Sequence, residues 1–471
     1  MKTKYQLAVL ASMIAPLSAL AAEQPATLKA AVEQAIMQNP DVLLRYHALT
    51  ASDHERQAAK SGWLPKVDLQ ASTGRMRSES PILPRESYTD TATTVQLRQT
   101  LFDGFATLND VRRLSHARQA RYFDLLATTD DTALEAARAY IDVLRYRELV
   151  ELAKQNYAKH AEIHSQLQDK VKAGVGRRVD LEQAAGRLAL AESNWLTEQS
   201  NLQDVAARFQ RMVGDYPAGQ LAALPNLDTN LPQREGFLAD TISRNPTFRS
   251  AVATIRSSRA DAELRKSSRW PTLELRAAQS YEKNRNGLSG EYKDSSVMLV
   301  LNYNLFNGGA DSARIRQYAE QLNAAYDLRD KACRDIRQQA QIAWNDLSRI
   351  QEQIRLQSQH ELSTAKARDA YRQQFDIGQR SLLDLLDTEN ELFEARRALT
   401  NAEEDLNLAK VRVLSYSSRL LPALQLRPVV DPIEDENGGL DAKDGQLSCN
   451  TSLPPPATLD KQGLLPPPSA R

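Results

Sequence analysis

The chain has 471 residues, and its 60 basic side chains are balanced by 60 acidic ones. That balance leaves no electrostatic footprint for nucleic acid, so no nucleic-acid partner is expected. Aromatic residues are only 6% of the chain, and the wealth of Ala, Glu, Gln, Arg, Lys and Leu suits long helices.

The first element is an address. Lys2 and Lys4 precede the apolar run "LAVLASMIAPLSAL", and Ala19-Leu20-Ala21 has the A-x-A form of a cleavage site. Residues 1–21 therefore read as a signal peptide, and the mature chain is expected to be exported. No later apolar run approaches the ~18 residues of a membrane-spanning helix. The two cysteines, Cys333 and Cys449, are too few for a disulfide-stapled scaffold, and neither follows the leader as a lipid-attachment site.

Asn39-Pro40 supplies a helix cap followed by proline at the first helical position. The helix it starts must stop before Pro65. The period then changes to two. Val67, Leu69 and Ala71 alternate with Asp68, Gln70 and Ser72, and Val95 and Leu97 lie on the return strand. This hairpin, 67–102, ends in "LFDG" at Leu101–Gly104, where Asp103 is an N-cap type and Gly104 allows a bend. Residues 105–172 contain neither Pro nor Gly, which predicts a rod of roughly 100 Å at ~1.5 Å per residue. Gly174 breaks it, and a second long helix is predicted over about 178–212.

The same order then recurs. Asn245-Pro246 caps a helix that stops before Pro271, and a hairpin over 272–306 ends in "LFNG" at Leu305–Gly308. A long helical stretch, 310–377, is broken by Gly378, and another helix covers about 381–418. "LFDG" and "LFNG" lie 204 residues apart, as do "AYIDVL" at Ala139 and "AWNDLS" at Ala343, Gly174 and Gly378, and Asp180 and Asp384. Landmarks in one order at one offset indicate a tandem duplication of a whole structural unit, over 22–226 and 227–425. From residue 426 the chain is rich in Pro, Gly, Asp and Ser, so 426–471 reads as a disordered, periplasmic tail.

No catalytic constellation stands out. His47 and His54 have no third ligand nearby, "GVGRR" at Gly174 lacks the Lys-Ser/Thr of a phosphate loop, and no GxSxG is present. Neither an enzyme, a cofactor nor a metal is expected. Four strands cannot close a barrel, and open edges are not tolerated in lipid. If these strands cross a membrane, two chains would give eight strands and a filled interior, three chains twelve and a channel; taken by themselves the alternating strands read first as a soluble, exported hairpin pair, which would alternate too.

The order helix, hairpin, long helix, turn, long helix, given twice, resembles the TolC family of outer-membrane channel proteins. The residues that carry the resemblance are "NP…WLP" and "NP…WP", "LFDG" and "LFNGG", and "FDIGQRSLLDLLDTENELFEARRAL" from Phe375 to Leu399. It covers about residues 27–420. The resemblance implies a mainly α fold with a small β part. In it, tandem-repeat protomers form a trimeric 12-stranded transmembrane β-barrel, continuous with a periplasmic α-helical barrel. It further implies a homotrimer in the outer membrane of a Gram-negative bacterium, in contact with outer-membrane lipid. Its partners would be a periplasmic adaptor and an inner-membrane ABC or proton-driven transporter.

Carried over residue by residue, the resemblance makes Asp384 and Asp387 gate carboxylates that ring the narrow periplasmic mouth. It makes Asp180 and Arg380 a latch tying the two turns at Gly174 and Gly378. Phe375 stands where some relatives have a tyrosine, and phenylalanine cannot make that hydrogen bond. A plainer role also awaits Asp384, because Ser381 and Asp384 form an S-x-x-D capping box. Phe102, Gly104, Phe306 and Gly308 become the joints between β-barrel and helical barrel, with Trp63 and Trp270 nearby as interface anchors or core side chains. Type I protein secretion, multidrug efflux, and a non-pore exported scaffold or adhesin remain as readings. The "LFDG" and "LFNGG" phrases lean towards secretion.

Overall fold

The computed structural model describes residues 26–79, 86–431 and 451–455. The expected signal peptide and most of the tail lie outside the described residues.

Each repeat opens with a short helix followed by a longer one. These are α1 (Leu28–Gln38) and α2 (Pro40–Lys60) in the first, and α5 (Phe237–Arg244) and α6 (Pro246–Lys266) in the second. The Asn39 and Asn245 side chains each accept from the backbone two residues on, Asp41 N and Thr247 N, both at 2.9 Å. Sequence periodicity did not reveal α1 and α5, which are short. Strands β1 (Lys66–Ser78), β2 (Glu86–Phe102), β3 (Thr272–Lys283) and β4 (Glu291–Asn302) form one antiparallel sheet in chain order.

The register aligns Val67, Leu97, Ala277 and Val297 across all four strands, so one face of the sheet is apolar. The other face is polar, with Arg98 paired to Asp68 at 2.7 Å. The second hairpin was expected to run to Phe306, but β4 ends at Asn302, opposite Thr272, the first residue of β3. Beyond that point β3 offers nothing to pair with, and β4 has no neighbour on its other side within the chain.

From the sheet run two helices of equal length, α3 (Ala106–Lys172) and α7 (Ala310–Asp376), each of 67 residues or roughly 100 Å. Each folds back on a shorter partner, α4 (Arg178–Val213) or α8 (Leu382–Tyr416). Among the described residues no helix is long and apolar enough to cross a membrane.

The core sits midway along α3 and α7. Tyr140 is fully buried in it, with its hydroxyl 2.9 Å from the Ala26 carbonyl and 2.7 Å from that of Ala222. The alanines at 133, 136 and 137 have no exposed surface and let helices approach closely. Trp344, the counterpart of Tyr140 at the 204 offset, lies against Phe237 of α5 with ring centroids 4.8 Å apart. So the "AYIDVL" and "AWNDLS" landmarks are where each long helix holds the start of its own repeat.

A last short helix, α9 (Leu420–Ala423), closes this core. The tail was expected to be disordered from 426, and its described parts are not. Leu426 is buried in the core, Val429 packs on it, and Leu453 packs on the cluster around Phe237. These few apolar side chains are enough to seat short stretches of a chain otherwise too polar to bury.

Candidate functional site

Two stations carry the residues singled out in the sequence: the joints where sheet becomes helix and the tips where the long helices turn back.

At the first joint Gly104 (φ +66) and Phe105 (φ +67) are both left-handed. Asp103 does not flank α3 directly but still caps it, accepting from Thr107 N at 2.8 Å and Thr107 Oγ1 at 2.5 Å. The Phe102 and Phe105 rings meet edge to face at 5.6 Å. A Cβ on Gly104 would lie 2.7 Å from both the Ser267 carbonyl oxygen and the Trp270 Cβ, so only glycine fits. At the second joint Gly308 (φ +69) and Gly309 (φ +85) make the same bend. Here the surroundings are empty, and Leu305 and Phe306 are each 86% exposed. Trp63 and Trp270 are both exposed, so neither is a core side chain of the protomer.

At the tips, α3 and α7 end in the same way. Gly174 N bonds Val171 O and Val175 N bonds Lys170 O, while Gly378 N bonds Phe375 O and Gln379 N bonds Gln374 O. This is the Schellman pattern, with glycine at its left-handed position (φ +76 and +75). After the second turn, Ser381 and Asp384 form the expected capping box, with each side chain bonded to the other's backbone N–H.

Asp384 and Asp387, the carboxylates expected at the mouth, have separate arginine partners within the protomer. Arg380 lies 3.8 Å from Asp384, and Arg187 on α4 is paired with Asp387 on α8. The Asp180–Arg380 latch is not formed in this protomer. Asp180 is taken by Arg177, three residues earlier, at 3.1 Å. Arg380 instead donates to Gln374 at 3.1 Å and stands 4.4 Å from the Tyr371 ring centroid. Each partner is held by its own turn, which closes far less chain than a bond between repeats.

What ties the two tips together lies elsewhere. Arg187–Asp387 is one bond between repeats, and Arg372–Glu162 at 2.8 Å is another. Lys159 and Arg372 hold the Glu162 carboxyl below the usual carboxylate range. Phe375, which cannot hydrogen-bond, packs instead with Ile163, Leu167, Leu382, Leu385 and Leu386, and the Lys170 ammonium stands 5.2 Å from its ring centroid. Burial, with help from Arg187, pushes the His160 imidazole down and so favours its neutral form.

Sequence reasoning missed Arg187. Its one legible signal was its place seven residues, or two helical turns, after Asp180, on the same face of α4. His47 and His54 are exposed on α2, and no cluster of three metal-ligating side chains occurs among the described residues.

The model of the outer membrane efflux protein family matches residues 31–215 and 238–417. The chain belongs to that family. Both matched segments begin within the short first helix of a repeat and end near its last long helix. The chain is 25% identical over 431 residues to the outer membrane efflux protein BepC of Brucella suis, covering 89% of this chain and 93% of that protein. It is 26% identical over 412 residues to the alkaline protease secretion protein AprF of Pseudomonas aeruginosa, covering 80% and 84%. In fold it is similar to the outer membrane channel CmeC of Campylobacter jejuni, with a TM-score of 0.75 at 16% identity over 83% of this chain and 86% of that one.

The chain is therefore a channel of the outer membrane with its helical part in the periplasm, and not an enzyme. TolC-family channels are homotrimers that work with an adaptor and an inner-membrane transporter. The four-stranded sheet with two free edges is a third of such a barrel.

Proposed function

We propose that this channel is the exit duct of a tripartite type I protein secretion system. It passes a protein from an inner-membrane ABC transporter, through a periplasmic adaptor, to the outside. The observation that carries this reading is the likeness to AprF, a relative named for protease secretion, over four-fifths of the chain. The second reading, the outer-membrane channel of a multidrug efflux pump, draws on the similarly extensive likeness to BepC, which is named for efflux. Deleting the gene separates them. Loss of a large secreted protein with unchanged drug tolerance is the outcome expected. Retained secretion with drug hypersensitivity would replace the first reading by the second.

The channel is closed at its helical tips. Three copies bring six carboxylates, Asp384 and Asp387 of each, around the mouth, each beside its own arginine, so the ring holds cations and resists anions once those pairs open. The cross-repeat tie that keeps the mouth shut is Arg187–Asp387, supported by Arg372–Glu162. Arg187→Ala should raise single-channel conductance in planar bilayers, and Asp180→Ala should raise it less. Unchanged conductance in Arg187→Ala would remove Arg187 from the gate.

A further inference from the structure

Since the chain is an outer-membrane channel, the apolar face of its sheet meets lipid. That face also carries charges that neither the joints nor the tips use. On β1 it runs Val67, Leu69 and Ala71, then Thr73, then Arg75 and Arg77. On β4, taken from the joint end, it runs Leu301, Leu299 and Val297, then Ser295, then Lys293. On β3 Leu273, Leu275 and Ala277 are followed by Gln279 and Tyr281, then Lys283. Each of these strands gives three apolar side chains, a polar interval and then a cation. We propose that Arg75, Arg77, Lys283 and Lys293 form a collar that binds the phosphate groups of anionic lipid in the outer leaflet.

The spacing puts the collar at head-group level. Arg75 lies eight residues from Val67 and Lys293 eight from Leu301, while Arg77 and Lys283 lie ten from Val67 and Leu273. Eight to ten residues cover about 27–33 Å along a strand, or about 20–25 Å along the membrane normal at the ~40° tilt of barrel strands. The apolar band that such a barrel shows to lipid is ~25 Å tall. A cation on the lipid face costs much at mid-membrane and little at the surface, and these four lie where the cost is small.

The two faces of the sheet treat their cations differently. Among the described strand residues, the arginines of the polar face are neutralised, Arg98 by Asp68 and Arg276 by Glu274, both at 2.7 Å. Arg285, in the loop between β3 and β4, is likewise held by Glu282 and Asp294. Arg75, Arg77, Lys283 and Lys293 are all exposed, and none forms an ion pair with a described residue. Lys293 stands 5.7 Å from the ring centroid of Tyr281, a residue type suited to a membrane interface. The one acid on this face of the described strands is Glu291, across the ladder from Lys283. At the joint end the same face has Phe102, Leu273 and Leu301 in one row and no cation among the described strand residues. The charge is therefore one-sided, at the end away from the periplasm, and the chain supplies too little counter-charge for it. Lipid phosphates at that level supply the rest, and the arginine fork matches two phosphate oxygens at once.

The full-length trimer in neutral detergent tests the collar. Native mass spectrometry would compare lipid A carrying its phosphates with the same lipid after phosphatase treatment. The phosphorylated form should bind about tenfold or more tightly. Arg75→Gln, Arg77→Gln, Lys283→Gln and Lys293→Gln combined should abolish that preference. Lys66→Gln, which removes a cation from the polar face of β1, should leave it intact. Equal binding of the two lipids by the parent trimer would overturn the proposal without any variant, and so would an undiminished preference in the fourfold variant. Inorganic phosphate in excess should fail to displace the lipid. Full displacement would mean a site for free anions rather than for a lipid surface, and would also overturn the proposal.

Discussion

The two repeats share a backbone and differ in what surrounds it. Both joints bend through two successive left-handed residues, and both tips close in the same Schellman pattern. Yet the first joint is walled in by Ser267 and Trp270, which belong to the second repeat, while the second joint has open space around Gly308 and Gly309. A duplicated chain explains this. The first joint meets the root of the second hairpin within one protomer, whereas in a trimer that continues the repeat around a ring the second joint would face the first hairpin root of the next protomer, with Trp63 in place of Trp270. Leu305 and Phe306 are exposed beside that joint, the surface such a neighbour would cover.

Gly104→Ala should break the comparison most severely. The new Cβ adds a left-handed penalty of about 1–2 kcal/mol to an overlap with backbone and side chain worth about 1–3 kcal/mol. Gly308→Ala adds only the first of these within the protomer and brings its further cost at assembly. The expected result is protease-sensitive protomers for Gly104→Ala. For Gly308→Ala, folded protomers should give fewer heat-modifiable trimers. Identical losses of both in the two variants would remove the distinction.

A smaller difference lies at mid-helix. Asp130 is half-buried on α3, with Ser418 Oγ 2.9 Å from its carboxylate, while its counterpart Arg334 is exposed. Burial pushes the Asp130 carboxyl up from 3.8 to about 7, against the lowering influence of Ser418. Below about pH 4 both the folded and the unfolded states hold the proton. Between there and about pH 7 only the folded state holds it, so stability falls as pH rises through this window and is level above it. Asp130→Asn should flatten that fall in a series of thermal melts, and Arg334→Gln should leave it as it is. An unchanged slope in Asp130→Asn would mean that the carboxyl is not the source.

Much of this was written in the sequence because a repeat reads itself twice. The rods of 67 residues announced themselves by the absence of Pro and Gly, and the caps at Asn39, Asn245 and Ser381 by their residue types. The side-chain partners were less legible. Asp180 and Arg380 looked like a pair because family likeness sets them opposite each other, but a nearby arginine and a nearby glutamine compete at far lower chain cost. Arg187 and Asp387 are 200 residues apart, and no local pattern links them. The tail was read from composition alone, which averages over the few apolar residues, Leu426, Val429 and Leu453, that seat it.

The tips provide the comparison that should show no difference. Gly174 and Gly378 have φ of +76 and +75 and make matching bonds, and a Cβ added at either would meet nothing within 4 Å. Alanine at either site therefore incurs only the left-handed penalty, about 1–2 kcal/mol, since no neighbour is displaced. The two variants should melt together, each slightly below the parent. The charges near the turns differ, with Arg380 stacked on Tyr371 at one and Arg177 paired to Asp180 at the other, but neither group lies against the glycine. A clear gap between the two melts would mean that one tip is packed against a neighbouring protomer and the other is not, carrying the asymmetry of the joints down to the mouth of the channel.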